Sequence, residues 1–133
     1  MTTNITVSWQ EENVFLGENE DGGKAMLGGE HIHPMQMVLV ALAGCSGVDV
    51  VNILRKKRVD FSDFKIEVSG ARADKHPKVY TDIYVRYSIW GQNIKEKDVE
   101  QAIKLSEDKY CSVSAMLKST AKIHSTYEIL EQK

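Results

Sequence analysis

The feature that most constrains this chain is one long apolar segment, residues 33–58, which reads HPMQMVLVALAGCSGVDVVNILRKKR. Pro34 lies where a helix tolerates proline, in the first turn, and the pattern predicts a helix to about Lys57, on the order of 36 Å long. Its nearly uncharged part, residues 35–48, is shorter than the roughly 20 residues of a membrane span. We therefore expect a buried helix of a folded domain.

The composition excludes several classes of protein. The chain has 133 residues, of which 42% are hydrophobic and 27% charged, so we expect a single domain spanning residues 1–133. A net charge of −2 argues against a nucleic-acid partner. The N-terminal residues show no basic region followed by an apolar region, so we expect a cytoplasmic protein without a secretory signal or membrane anchor.

The first half of the predicted helix is apolar on every side, from Met35 to Ala43. A helix of this kind must be covered all round. A compact chain of this size has a radius of gyration of about 14 Å, which is too small to wrap so long a helix easily. We therefore expect a homodimer with the helix at or near the interface.

The remaining pattern predicts an α+β fold. Apolar and polar residues alternate in several segments, as in strands with one buried face; the apolar members include Phe64, Ile66, Val68, Ile83, Val85, Tyr87, Ile89, Ile123 and Ile129. Residues 95–110 instead have helical spacing, with Val99, Ala102, Ile103, Ser106 and Tyr110 on one face. The predicted order is β-β-β-α-β-β-α-α-β, with a largely antiparallel sheet.

Two cysteines, Cys45 and Cys111, are the main candidates for chemistry. Cys45 lies between Gly44 and Gly47, which keep bulk away from its sulfur, although a buried cysteine can also serve only in packing. Asp49 lies one helical turn after Cys45 and acts to raise a thiol pKa. Cys111 precedes a short helix, whose N–H groups favour a thiolate. The residue pattern alone leaves open which cysteine attacks.

The histidines offer a rival site. His31 and His33, together with a cysteine, form a candidate zinc site for metal storage or sensing. No C-x-x-C or H-E-x-x-H spacing supports it, so we expect neither a metal nor an organic cofactor.

The segment HPMQMVLVALAGCSGVDVVNIL, followed downstream by CSVSAML, resembles the OsmC/Ohr family of thiol-dependent peroxidases, and most closely its GCSxxDVV branch. The resemblance implies the OsmC-like fold, an intertwined homodimer and an active site near the interface. It also implies that Cys45 attacks an organic hydroperoxide and that Cys111 resolves the sulfenic acid to a disulfide. A dithiol such as a dihydrolipoyl group then acts as the reductant.

The family's peroxidases carry an arginine about twenty residues before the first cysteine and an acidic residue that orients it. In this chain, Lys24 lies in the region where those peroxidases carry the arginine. Met35 and Gln36 lie where they carry the acidic residue. We therefore expect a slow peroxidase in which Lys24 and Gln36 are candidates for polarising the substrate. A non-catalytic binding protein that holds an acyl or lipid-like ligand in an interface pocket is the alternative, with Met35, Met37 and Leu39 as candidate pocket walls.

Overall fold

The structure, a computed structural model, describes residues 1–131. Its strands and helices follow the order β-β-β-α-β-β-α-α-β, as predicted. They are β1 (Ile5–Glu11), β2 (Val14–Asn19), β3 (Lys24–Leu27), α1 (Pro34–Lys56), β4 (Phe61–Arg72), β5 (Tyr80–Gly91), α2 (Glu96–Leu105), α3 (Ser112–Leu117) and β6 (Lys122–Leu130). A π-helical turn, Ser106–Tyr110, joins α2 to α3. The chain forms two compact units, residues 1–38 and residues 39–133, and α1 continues from the first into the second.

The N-terminal unit is an antiparallel sheet in the order β1-β2-β3. After β3 the backbone turns at Gly28, whose φ is +85°. A Cβ at this position would lie 2.0 Å from the carbonyl oxygen of Asn13, so only glycine fits. This turn leads the chain to the start of α1.

The C-terminal unit contains a second sheet in the order β4-β5-β6. β4 and β5 are antiparallel, with Ile66 opposite Tyr87 and Val68 opposite Val85. β5 and β6 are parallel, because the chain crosses over through α2, the π-helical turn and α3 before it returns as β6. The antiparallel pairing predicted from the order of the elements is thus confirmed for β4 and β5, whereas β6 pairs in parallel.

α1 turns one stripe towards this sheet, where its Ser46 hydroxyl reaches the buried Tyr87 of β5. The buried members of the stripe are Leu42, Ser46, Val50 and Leu54. The opposite side is open in one protomer, since Val40 is 47% and Val48 61% exposed. The protomer alone therefore leaves much apolar surface of α1 open to solvent.

By length and composition, α1 also satisfies the criteria for a helix that can cross a membrane, and 22% of its most apolar stretch is buried. The nearly uncharged segment identified in the sequence, residues 35–48, ends before Asp49 and is therefore shorter than a membrane span. The helix itself continues to Lys56. The core helix of a soluble protein can satisfy the same criteria.

The predicted single helix over residues 95–110 is wrong in its last turn. Val99, Ala102, Ile103 and Ser106 are buried as expected, but Tyr110 is 51% exposed. The π-helical turn adds backbone per turn and rotates Tyr110 off the buried face. It also brings the backbone N–H of Cys111 to the carbonyl oxygen of Ser106, at 2.7 Å.

Candidate functional site

The two cysteines lie together in the C-terminal unit. Cys45 is in the middle of α1, and Cys111 is the N-cap residue of α3. Their sulfur atoms and a carboxylate oxygen of Asp49 all lie within 4.8 Å of one another. Both thiols are free in this structure. Residues far apart in the sequence thus form one cluster of two thiols and a carboxylate.

The two thiols differ in environment. Cys45 is partly exposed, whereas Cys111 is only 2% exposed. Burial raises the pKa of Cys111 to about 11, with smaller contributions in the same direction from Cys45 and Asp49. The backbone N–H of Ser114 donates to the Cys111 sulfur at 3.3 Å and opposes this rise. The thiolate-favouring effect expected at this helix start is therefore present, but burial outweighs it.

A chain of hydrogen bonds runs from the cluster into the core. The Ser106 hydroxyl donates to Asp49 Oδ2 at 3.0 Å and lies 3.1 Å from the Ser46 hydroxyl. Ser46 is in turn 2.5 Å from the Tyr87 hydroxyl. Ser46, Ser106 and Tyr87 are each at most 2% exposed. Asp49 is thus held by a buried polar network that joins α1, the π-helical turn and β5.

Tyr87 belongs to this chain of hydrogen bonds as a neutral phenol. Burial is the largest cause that raises its pKa, and the nearby Glu107 acts in the same direction, while the hydrogen bond with Ser46 lowers it. Glu107 also accepts a hydrogen bond from the Ser125 hydroxyl. The network therefore continues from Tyr87 towards β6.

Sequence reasoning missed Ser46, Ser106 and Tyr87. Ser46 and Asp49 are three residues apart, a spacing that places them on neighbouring parts of one helical face. Ser106 was predicted on the buried face of its helix. A polar residue on a buried face needs a hydrogen-bond partner. The position of Ser106 on such a face could therefore have indicated a buried polar network.

The remaining predicted site residues occupy α1 and the N-terminal unit. The Gln36 side-chain oxygen accepts a hydrogen bond from the backbone N–H of His33 at 2.9 Å, as in a capping box, so this oxygen serves the start of α1. Lys24 and Met37 line one groove of the N-terminal unit. The other two predicted pocket walls, Met35 and Leu39, do not line this groove. Met35 belongs to the N-terminal unit and Leu39 to the C-terminal unit.

The charges around the two thiols differ from those around a thiol that an arginine activates. Within residues 39–131, no lysine, arginine or histidine side chain forms an ion pair with Asp49. The arginines of this part of the chain include Arg86, which pairs with Glu128 at 2.8 Å. In this unit the cluster therefore has a negative group without a cationic partner.

The histidines have other contacts. The His33 ring donates from Nε2 to the carbonyl oxygen of Gly29 at 2.9 Å, and His124 Nε2 lies 3.1 Å from an Asp82 oxygen. In the part of the chain that the structure describes, the side chains with metal-ligand chemistry that cluster closely are Cys45, Asp49 and Cys111.

Comparisons with known proteins agree with this architecture. The family model for OsmC-like protein matches residues 27–126. Protein YhfA of Escherichia coli (strain K12) is 37% identical over 128 residues, which cover 93% of this chain and 96% of that protein. The crystal structure of a hypothetical protein from Aquifex aeolicus VF5 has a TM-score of 0.93 and 38% identity, covering 100% of this chain and 99% of that one.

A more distant likeness is to an organic hydroperoxide resistance protein OsmC from Legionella pneumophila. Its TM-score is 0.71 at 13% identity, and the match covers 96% of this chain and 97% of that one. At this identity the likeness concerns the fold. The family match and the structural matches together confirm the resemblance seen in the sequence. The chain belongs to the OsmC-like protein family.

Proposed function

We propose that this protein is a thiol-dependent peroxide reductase that acts on organic hydroperoxides, with Cys45 as the attacking thiol and Cys111 as the resolving thiol. The observation that carries the proposal is the approach of the two sulfur atoms within 4.8 Å, with Cys45 the more exposed of the two. The name of the Legionella relative, an organic hydroperoxide resistance protein with the same fold, supports the choice of substrate.

The chemistry balances in three steps. The Cys45 sulfur attacks the terminal oxygen of the hydroperoxide, the O–O bond breaks, and an alcohol leaves while Cys45 becomes a sulfenic acid. The Cys111 thiol then attacks that sulfur, which forms the Cys45–Cys111 disulfide and releases water. A dithiol, such as a dihydrolipoyl group, reduces the disulfide and is itself oxidised to a disulfide.

The different environments of the two thiols support this division of roles. With a pKa of about 11, Cys111 is a neutral thiol at physiological pH and a poor first nucleophile. Its proton must leave when it attacks the sulfenic acid. Asp49, whose carboxylate lies within 4.8 Å of both sulfur atoms, is our candidate for the group that accepts a thiol proton.

In the same proposal, Lys24 and Gln36 are the residues that polarise the hydroperoxide. Lys24 carries a point charge and lacks the planar fork of arginine. Gln36 already uses its side-chain oxygen at the start of α1. We therefore expect turnover to be slow, since the loss of one donor to a transition state often costs on the order of 100-fold in rate.

We also propose that the functional unit is a homodimer, and that one protomer, residues 1–133, is a single cytoplasmic domain. The exposed apolar residues Val40 and Val48 lie one turn on either side of Gly44, and a Cβ added to Gly44 would have open space within 4 Å. In the N-terminal unit, Val7 and Trp9 of β1 are 55% and 65% exposed. Surfaces of this kind are commonly covered by a partner.

A non-catalytic binding protein is the second candidate function. The groove that Lys24 and Met37 line has a volume of about 430 Å³, within the range of small-ligand pockets, and its other walls include Ile5, Val7, Ala25 and Leu27. Glu18 and Lys24 are the charged residues of the groove, so an acyl chain with a polar head fits this combination of apolar walls and two opposite charges. Mass spectrometry of the purified protein under native conditions distinguishes the two functions, because a binder retains its ligand.

The direct test of the proposed enzyme is consumption of cumene hydroperoxide with dihydrolipoamide as reductant. We expect turnover by the wild type and none by Cys45→Ser. A Ser112→Ala variant, which changes an exposed residue beside Cys111, is the matched control and should keep the wild-type rate. Equal peroxide consumption by wild type and Cys45→Ser would show that the proposed nucleophile is wrong.

A further inference from the structure

The cluster of Cys45, Cys111 and Asp49 also has the chemistry of a metal site. We propose that the reduced protein binds one Zn²⁺ ion through the two cysteine sulfurs and the Asp49 carboxylate, with the fourth position open to water. This binding is independent of the proposed peroxidase activity, since it requires only the reduced thiols. Two sulfur donors and one carboxylate oxygen form a ligand set that Zn²⁺ accepts.

The geometry supports the proposal. The three donor atoms lie within 4.8 Å of one another. In a tetrahedral zinc site with Zn–S bonds of about 2.3 Å and Zn–O bonds of about 2.1 Å, donor atoms are roughly 3.5–3.8 Å apart. Movements of about 1 Å, within the reach of side-chain rotations, therefore bring the donors to the required separations.

The supporting contacts hold two of the three donors in place. Asp49 Oδ2 accepts the hydrogen bond of the buried Ser106 hydroxyl at 3.0 Å, the kind of contact that orients a metal-binding carboxylate. Cys111 is fixed through its backbone N–H, which donates to the Ser106 carbonyl oxygen at 2.7 Å. Cys45 and Asp49 share one face of α1 because they are four residues apart.

The charge balance points the same way. Within the C-terminal unit, Asp49 has no ion-pair partner among the residues up to 131, and ligation converts the two thiols to thiolates. A divalent cation offsets two of the three negative charges that the two thiolates and the carboxylate then carry. A disulfide between the two cysteines removes both sulfur ligands, so zinc binding and the oxidised state exclude each other; this consequence alone depends on the proposed function.

The test uses reduced, metal-free protein under anaerobic conditions, titrated with Co²⁺ as a spectroscopic substitute and then with Zn²⁺. We expect thiolate-to-cobalt charge-transfer absorption, the visible bands of tetrahedral Co²⁺, and displacement by one equivalent of Zn²⁺. Asp49→Asn, which keeps the shape of the side chain, should weaken Zn²⁺ binding at least about 10-fold, and Ser106→Ala about 10- to 100-fold. Circular dichroism verifies that each variant is folded.

His31→Ala is the control for the rival histidine site, and its Zn²⁺ affinity should equal that of the wild type. The proposal is wrong if the reduced wild type shows no charge-transfer absorption, or if Cys45→Ser and Cys111→Ser both keep wild-type affinity. The titration contains no peroxide, and a metal chelator is to be added to the peroxidase assay described above. Failure of one proposal therefore leaves the other intact.

Discussion

The Ser106 hydroxyl donates a hydrogen bond to Asp49 Oδ2 at 3.0 Å, beside the two cysteines. This bond joins the π-helical turn to α1 and explains why an aspartate is tolerated one turn after Cys45. The carboxylate has hydrogen-bonded surroundings within an otherwise apolar helix, because the hydrogen bonds continue from Ser106 through Ser46 to Tyr87. The site therefore combines two thiols with a buried, hydrogen-bonded polar network.

Two buried serines provide a matched test of this network. Ser106→Ala removes the donor to Asp49, and we expect a loss of about 1–3 kcal/mol in the free energy of unfolding. Ser114 is equally buried, but its hydroxyl has no hydrogen-bond partner among residues 1–131, so Ser114→Ala should be neutral or slightly stabilising. Urea denaturation measures both, and equal losses would contradict the account.

The raised pKa of Cys111 predicts a pH dependence of stability. Its folded-state pKa of about 11 exceeds the ordinary value of 9.0, so the fold favours the neutral thiol. The resulting stability is complete below pH 9 and is lost as the pH rises towards 11. Urea midpoints across this window should fall more steeply for the wild type than for Cys111→Ala.

The same thiol can be followed directly. In a Cys45→Ser variant, Cys111 is the remaining cysteine, and its thiolate absorbance should rise with a midpoint well above 9.0, because burial is the largest cause of the shift. A midpoint at or below 9.0 would show that Cys111 is solvated in solution.

The exposed side of α1 predicts the oligomeric state. Val48→Glu introduces a charge into the proposed apolar interface, and we expect monomers at concentrations where the wild type is a dimer. Met116→Glu is the control, since Met116 is 75% exposed on α3 and does not belong to the α1 surface. Sedimentation velocity measures the outcome. A monomeric wild type, or equal effects of the two substitutions, would contradict the proposed dimer.

The single-domain proposal predicts cooperative unfolding. Trp9 reports on the N-terminal unit and Trp90 on the C-terminal unit, so Trp90→Phe and Trp9→Phe leave one fluorescent probe in each. We expect both probes and the helical circular dichroism signal to change at one urea midpoint, because α1 belongs to both units. Two separate midpoints would indicate independently folding units.

Much of the fold was predictable because its signals are local. The alternation of Phe64, Ile66 and Val68 predicts a strand with one buried face, and β4 contains these residues with that alternation of burial. The apolar run after Pro34 likewise predicts α1 to within a residue of its end. The π-helical turn was not predictable, because one extra residue per turn leaves no distinct apolar pattern, and the exposure of Tyr110 was missed as a result.

Less of the site could be predicted from the sequence, because its contacts join residues that lie far apart along the chain. Nothing in the spacing of Cys45 and Cys111 indicates that their sulfur atoms approach within 4.8 Å. In the sequence Ser46 is one more small residue beside Gly47, and its hydrogen bond with Tyr87 depends on the packing of α1 against β5. The helix start at Cys111 favours a thiolate locally, whereas the tertiary burial of that sulfur decides its pKa.

The most direct test of the central claim is to locate the product of oxidation in the chain. Reduced wild type is treated with one equivalent of cumene hydroperoxide, blocked with a thiol reagent, digested and analysed by mass spectrometry. We predict one peptide pair linked through Cys45 and Cys111 in the wild type, and a sulfenic acid trapped at Cys45 in Cys111→Ser. Two thiols that stay reduced after treatment of the wild type, with the peroxide unconsumed, would contradict the account.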